Sequence, residues 1–194
     1  NGTELAPSLA TERRNVSPKE WEVDIRTDVV FHDGTPMTAE DVAFSFGEER
    51  VFGADRLVAV GPTYFGNFTA VEVVDEDTVL FTTSAPDPIF PYRFTATMGK
   101  VVPKDYYLEL GPEEFNLAPI GTGPYKLAEM RQGEFIRLES NDAYWGGLPP
   151  AREITFLEVP EMSTRIAGLM TGELDMITDI SPDQKGTLGQ AGNV

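Results

Sequence analysis

The 194-residue sequence contains no cysteine and a single histidine, His32. Without cysteine, the chain can form no disulfide, no thiolate zinc site and no thiol nucleophile. A single histidine also gives weak support to a histidine metal site or a hydrolase triad. No run approaches the ~18 consecutive apolar residues that a membrane span needs.

Basic residues are scarce: 15 lysines and arginines stand against 32 acids, so the formal net charge is −17. This balance argues against nucleic acid and anionic membrane surfaces as partners, because both attract basic proteins. The acids are spread along the chain, which favours a solvated surface of a monomeric protein over an acidic metal site. Hydrophobic residues make up 41% of the sequence, enough for a globular core.

The histidine lies in the stretch FHDGTPMTAEDVAFSF, residues 31–46, which is expected to run from a strand through a turn into a helix. Residues 20–31 alternate between apolar and polar side chains and predict a half-buried strand. The run from His32 to Pro36 contains Gly34 and predicts a turn. Because the histidine lies in that turn, an architectural role is favoured over a catalytic one.

A capped helix is predicted directly after the turn. Thr38 stands three residues before Asp41, the spacing at which a hydroxyl and a short acid cap a helix reciprocally. Acidic residues in the first turn also suit the positive end of the helix dipole. The apolar residues that follow at helical spacing are Ala39, Val42, Ala43 and Phe46.

The remaining pattern predicts two hairpins, a short helix and a β-α-β segment. The hairpins are TAVEVVDEDTVLFTT, whose acidic turn lacks calcium-loop spacing, and GTGPYKLAEM with EFIRLES, closed at residues 131–133. Residues 47–67 are expected to be irregular, and PKDYYLELG to be a short helix. Strand 153–159, a helix ending at Gly172 and a strand LDMIT then form a crossover that lays two strands parallel.

No catalytic or nucleotide-binding pattern occurs. The G-x-S-x-G elbow and the G-x-G-x-x-G loop are missing, and GTGPYK lacks the frame of a phosphate loop, with Pro124 removing a donor. A pair of acids of the glycosidase type has no specific feature in its favour, although the acidic composition leaves it open. We therefore expect no catalytic residue, no metal ligand and no cofactor.

Four stretches together resemble the extracytoplasmic solute-binding proteins of peptide and nickel ABC transporters, family 5, the dipeptide/oligopeptide-binding type. They are FHDGTPMTAEDVAFSF, GTGPYKL, LESNDAYWGG and VPEMSTRIAGLMTGELDMI, in the family's order between about Leu5 and Ile180. The resemblance implies a mixed α/β (α+β) fold, a fragment of the periplasmic-binding-protein-like type II clamshell. Residues 1–120 would form the extra α+β domain of the first lobe, and residues 121–194 a truncated part of the α/β ligand-binding lobe.

The resemblance implies reversible capture of a peptide or related small solute, without covalent chemistry, and delivery to an ABC permease. In such proteins the ligand shifts an equilibrium between open and closed lobes. The implied location is the periplasm or cell envelope, with a parent protein either free or lipid-anchored. The implied partners are the solute and the permease, with a monomeric protein and no nucleic acid. Because half of the cleft would be absent, the 194 residues alone are expected to bind ligand weakly or not at all.

The resemblance leaves alternatives open for both the function and the ligand. A sensor of the same fold would bind ligand without feeding a permease, and an acidic extracellular hydrolase is a more distant possibility. The ligand could also be a nickel chelate, an oligosaccharide or an opine, because the fold does not fix it.

Two segments correspond to regions of the family that border the cleft. One is Tyr64 with Phe65, for which packing under a long loop is an equally weighted alternative. The other is Thr95, Ala96 and Thr97, for which an ordinary loop is the alternative. These five residues are the predicted ligand-binding edge.

Two further features are expected to be structural. Residues 121–125, GTGPY, are interpreted as the crossing between domains, where glycines permit unusual backbone angles and the proline stiffens the chain. Trp145 is expected to anchor its loop on the core.

Overall fold

The structure, a computed structural model, describes residues 4–95, 99–182 and 184. By internal contacts the chain divides into two compact units, Asn1–Ala128 with Leu138–Glu153 and Glu129–Arg137 with Ile154–Val194. The domain boundary predicted between residues 120 and 121 refers to the larger family fold, and it stays a prediction. In this structure, residues 121–128 group with the first unit.

The first unit contains a four-stranded antiparallel sheet in the order β1-β2-β4-β3. Its strands are β1 (Ala10–Ser17), β2 (Glu20–Ile25), β3 (Phe68–Val73) and β4 (Thr78–Thr83). The predicted first hairpin is confirmed as β3 and β4. In the centre of the sheet, Val23 lies opposite Val79 and Trp21 opposite Phe81.

The predicted strand over residues 20–31 was too long, because β2 ends at Ile25. Beyond it, Val29 and Phe31 are still buried in the core, with relative exposures of 1% and 2%. Between them, Val30 pairs with Pro36 in an isolated antiparallel β-bridge, and this bridge closes the predicted turn. The apolar pattern therefore predicted correctly that these side chains are buried, but it did not predict where the strand ends.

Helices cover one part of this unit: α1 (Ala39–Phe46), a π-helical turn (Glu48–Phe52), α2 (Gly61–Phe65), α3 (Phe90–Arg93) and α4 (Lys104–Leu117). The π-helical turn and α2 lie in the region predicted to be irregular. The expected short helix is the first half of α4, which kinks at Gly111 (φ 74°) and then continues. None of the described helices has the length and apolar character needed to cross a bilayer.

An aromatic cluster forms the centre of the first unit. Phe65 has no exposed surface, and its ring centroid lies 5.1 Å from that of Phe68 and 5.7 Å from that of Phe94. Phe46 of α1 meets the same cluster, 5.0 Å from Phe94 in an edge-on arrangement. Such pairs stabilise beyond their buried area, so this cluster fixes α1, α2 and α3 against the sheet.

The predicted cap of α1 is confirmed and does more than the sequence indicated. The Thr38 hydroxyl accepts a hydrogen bond from the Asp41 amide, and the Asp41 carboxylate accepts one from the Thr38 amide at 2.8 Å. The other carboxylate oxygen of Asp41 accepts a hydrogen bond from the amide of Lys104 at 2.8 Å. One buried acid therefore satisfies orphan amides at the starts of both α1 and α4.

A second, three-stranded sheet has the order β5-β6-β7, with β5 (Tyr125–Arg131), β6 (Phe135–Ser140) and β7 (Glu153–Leu157). Helix α5 (Met162–Thr171) follows and ends, as predicted, at Gly172 with a left-handed φ of 77°. The strand predicted at residues 174–178 was wrong: no strand forms there, and Met176 is 81% exposed. A strand needs backbone partners alongside it, and the described residues provide none for this segment.

Candidate functional site

The predicted ligand-binding edge is built on two short helices. Tyr64 and Phe65 are the last residues of α2, and Thr95 follows α3 by two residues. The Thr95 hydroxyl and amide both donate to the Tyr92 carbonyl, which ends α3 in a tight turn. Ala96 and Thr97 lie outside the described residues.

Arg93 connects the two described segments of this edge. Arg93 of α3 donates through Nη1 to the carbonyl of Tyr64 at 2.7 Å, and through Nε to the carboxylate of Asp87 at 2.5 Å. Asn67 donates to the same carboxylate oxygen at 2.7 Å. The structure thus brings Tyr64 and the segment that leads to Thr95 together, although 31 positions separate them in the sequence.

The Asp87 side chain is charged despite being almost completely buried, with 3% of its surface exposed. Burial raises the pKa of its carboxyl group, but the hydrogen bonds from Arg93 and Asn67 outweigh burial and hold the pKa below its ordinary value of 3.8. A buried carboxylate with these donors fixes the orientation of the Arg93 guanidinium.

The members of the predicted edge differ in exposure. Phe65 is fully buried in the aromatic cluster, which matches the packing alternative, whereas Tyr64 is half-buried and Thr95 is exposed. Tyr64 and Thr95 therefore expose surface to solvent, whereas Phe65 belongs to the aromatic cluster. Contact between this edge and a ligand stays a prediction.

The main chain of residues 121–123 engages the imidazole of His32 on both sides, which is a structural role. The Gly121 amide donates to Nδ1 at 3.2 Å, so the proton is on Nε2, which lies 3.1 Å from the Gly123 carbonyl. The His32 amide also donates to the Gly121 carbonyl at 2.9 Å. The architectural interpretation of this residue is confirmed.

Asn141 completes this arrangement from a third motif. Its side-chain amide donates to the Gly123 carbonyl at 3.0 Å, and its backbone amide donates to the Pro124 carbonyl at 2.8 Å. Three of the four stretches that carry the family resemblance therefore meet at one point. Local patterns do not predict this meeting, because the contacts join residues 18 and about 90 positions apart, which do not lie in one helix or strand.

Trp145 anchors its loop as expected. Its ring packs against the core of the first unit, and the guanidinium of Arg26 lies 4.9 Å from the ring centroid. A cation over an indole face is attracted to the ring electrons, so the loop after Asn141 is held by apolar and electrostatic contacts together.

The described ranges contain no group of three or more histidine, aspartate or glutamate side chains placed to hold a metal ion. The acids in the turn at residues 75–77 interact mainly with one another and with Thr78. The Asp75 carboxylate accepts from the Asp77 amide, and this hydrogen bond leads the causes that lower its pKa. The pKa of Asp77 is raised, first by a hydrogen bond between its side chain and that of Asp75, and then by burial and the neighbouring negative charge.

The His32 arrangement predicts a pH dependence of stability. Burial lowers the pKa of the imidazole below its ordinary value of 6.5; the Gly123 carbonyl and Asp33 oppose this, and Lys126 adds to it. The unfolded chain therefore binds a proton at a higher pH than the folded chain does. Stability from this group is complete above about pH 6.5 and falls as the pH drops towards the lower folded pKa.

Urea unfolding at pH 7.5 and pH 5.5 checks this prediction, with His32→Gln as the variant that cannot titrate in this range. We expect the unfolding midpoint of the unmodified chain to fall more between these pH values than that of the variant. Because His32 is the sole histidine, its ring NMR signals also report the tautomer and pKa without assignment. An imidazole pKa at or above 6.5 would contradict the prediction.

The chain belongs to the bacterial extracellular solute-binding proteins, family 5, since the model of the middle part of that family matches residues 4–194. The oligopeptide-binding protein AppA of Bacillus subtilis is 32% identical over 171 residues, covering 85% of this chain and 31% of AppA. The chain spans about a third of the length of the curated relatives it matches.

Solved structures of similar proteins agree with this family. The periplasmic binding protein DppA of Helicobacter pylori, in complex with the peptide STSA, matches with a TM-score of 0.83 and 27% identity over 97% of this chain and 40% of DppA. AgaA of A. tumefaciens R10, in complex with agropinic acid, matches with a TM-score of 0.87 and 25% identity over 96% of this chain and 38% of AgaA. The mixed α/β fold predicted from the sequence is confirmed as part of this periplasmic binding protein fold.

Proposed function

We propose that this chain is part of the substrate-binding component of an ABC transporter, which captures peptides or a related small solute for a membrane permease. The observation that carries the proposal is the match of 97% of the chain to a binding protein solved with a peptide. The sequence relative AppA, named as oligopeptide-binding, points to the same class of ligand.

The proposed mechanism requires no covalent step. A solute that contacts both sides of a cleft stabilises the closed state by its preference for that state. In this chain Tyr64 offers an aromatic face and Thr95 a hydroxyl, which suit contacts to a flexible solute with polar main-chain groups. The protein would act outside the cytoplasm as a monomer, either free or lipid-anchored, without enzymatic activity.

An opine or other modified amino acid is the second candidate ligand class. AgaA, solved with agropinic acid, resembles this chain as closely in structure as DppA does. The transport role would be unchanged, and only the chemistry of the cleft would differ.

The test is mass spectrometry of small molecules released on denaturing the full-length gene product that carries this chain, purified from its own host without refolding. We expect short peptides in amounts close to one per protein. Tyr64→Ala should reduce the retained amount, whereas Tyr106→Ala, a tyrosine on α4, should not. Recovery of an opine, sugar or metal chelate would overturn the peptide assignment, and an empty protein would favour a sensor.

A further inference from the structure

The end of α2 depends on contacts from outside the helix. A helix of five residues is too short to hold itself in water, and its last carbonyls have no partner within it. The aromatic cluster holds the Phe65 ring, but this contact holds only the buried face of α2. The carbonyl of Tyr64, on the other hand, accepts from Arg93 at 2.7 Å, which tethers the backbone that carries the half-buried tyrosine.

Arginine is suited to this tether in a way that lysine is not. The guanidinium is a rigid fork, so Nε can donate to Asp87 while Nη1 donates to Tyr64. Asp87 is in turn held by Asn67 and by the amide of Ile89, at 2.7 and 3.2 Å. The direction of the fork is therefore determined before any ligand arrives.

We propose that Arg93, oriented by Asp87, is the positioning residue of the predicted ligand-binding edge: it fixes the end of α2, which carries Tyr64, to α3, which leads to Thr95, and so preorganises the edge. Arg93 acts through the backbone of Tyr64 and does not itself contact the solute. Preorganisation of this kind raises affinity by reducing the ordering that binding must impose. The inference rests on the proposed function for its link to a ligand, but the tether can be tested without one.

The first experiment is hydrogen exchange measured by mass spectrometry on the ligand-free chain. With Arg93→Met, the amides within residues 62–66, to which Pro62 contributes none, should exchange about tenfold faster, since a hydrogen bond to a charged group is lost. Arg93→Lys should keep the pair with Asp87 and most of the stability, yet still accelerate exchange at residues 62–66. Unchanged exchange there, or equal acceleration throughout the first unit, would overturn the inference.

The matched control is Arg14→Met. Arg14 also bridges two acceptors, the carboxylates of Asp24 and Glu22, but does so on β1 and β2. This variant should leave exchange at residues 62–66 unchanged. Acceleration there equal to that of Arg93→Met would show a general effect of losing an ion pair and would count against the tether.

The second experiment measures trialanine binding by calorimetry in the full-length gene product that carries this chain. Arg93→Met and Arg93→Lys should each weaken binding about tenfold, which corresponds to one hydrogen bond to a charged group, and Arg14→Met should not. Equal affinity of the Arg93 variants and the unmodified protein would overturn the inference. If the unmodified protein does not bind trialanine, the exchange experiment alone decides whether Arg93 positions the edge, and the ligands released on denaturation decide the peptide assignment.

Discussion

Replacing Phe65 with alanine is expected to lower the free energy of unfolding by about 3–5 kcal/mol, the range found for large-to-small changes of buried aromatic residues. The ring has no exposed surface and touches the rings of Phe46, Phe68 and Phe94. Its removal would leave a cavity where α1, α2 and α3 meet the sheet. The measurement is urea unfolding, read as a change in midpoint with the slope unchanged.

Two variants separate packing from ligand contact at this place. Phe65→Leu fills most of the volume and should recover much of the lost stability. Tyr64→Ala, one residue earlier and half-buried, should cost only about 1 kcal/mol of stability. If Phe65→Ala lowers the free energy of unfolding less than Tyr64→Ala does, the Phe65 ring does not contribute to the core. The alternative, that Phe65 faces the ligand, would then be favoured.

Tyr64 and Phe65 also show why the exposure of residues in the predicted ligand-binding edge was hard to predict. Adjacent residues in a helix point about 100° apart, so one can be buried while the next is not. The aromatic pattern indicated that Tyr64 and Phe65 pack on something, but choosing between a core and a cleft requires knowing where α3 lies. That placement is made by contacts distant in sequence, those of the aromatic cluster and that of Arg93 with the Tyr64 carbonyl across 29 residues.

Features with a local cause were predicted well. The cap of α1, the turn at Gly34 and the end of α5 at Gly172 each depend on residues within one turn of one another. The strand expected at residues 174–178 failed for the opposite reason, since an apolar alternation predicts a strand only where a neighbour exists to pair with it. The roles of His32 and Asn141 were likewise set by distant backbone groups.

Removing the carboxylate of Asp41 is the second change with a large expected effect, about 2–4 kcal/mol of lost stability for Asp41→Ala. About 1 kcal/mol is the usual contribution of a helix cap, here the reciprocal bond with Thr38. A further ~1–3 kcal/mol follows because the Lys104 amide, at the start of α4, would lose its acceptor. The α4 cap residue, Pro103, makes no side-chain cap of its own, so nothing local replaces it.

Glu40→Ala is the matched control, because this neighbouring acid also reaches Lys104. Its carboxylate pairs with the lysine Nζ at 3.1 Å, but it is 70% exposed, and exposed pairs contribute about 0–1 kcal/mol. The two variants remove the same charge from the same helix turn, so a helix-dipole effect alone would make their unfolding midpoints equal. A clear excess for Asp41→Ala, with faster hydrogen exchange at the start of α4, would show that one buried acid joins two helices 63 residues apart.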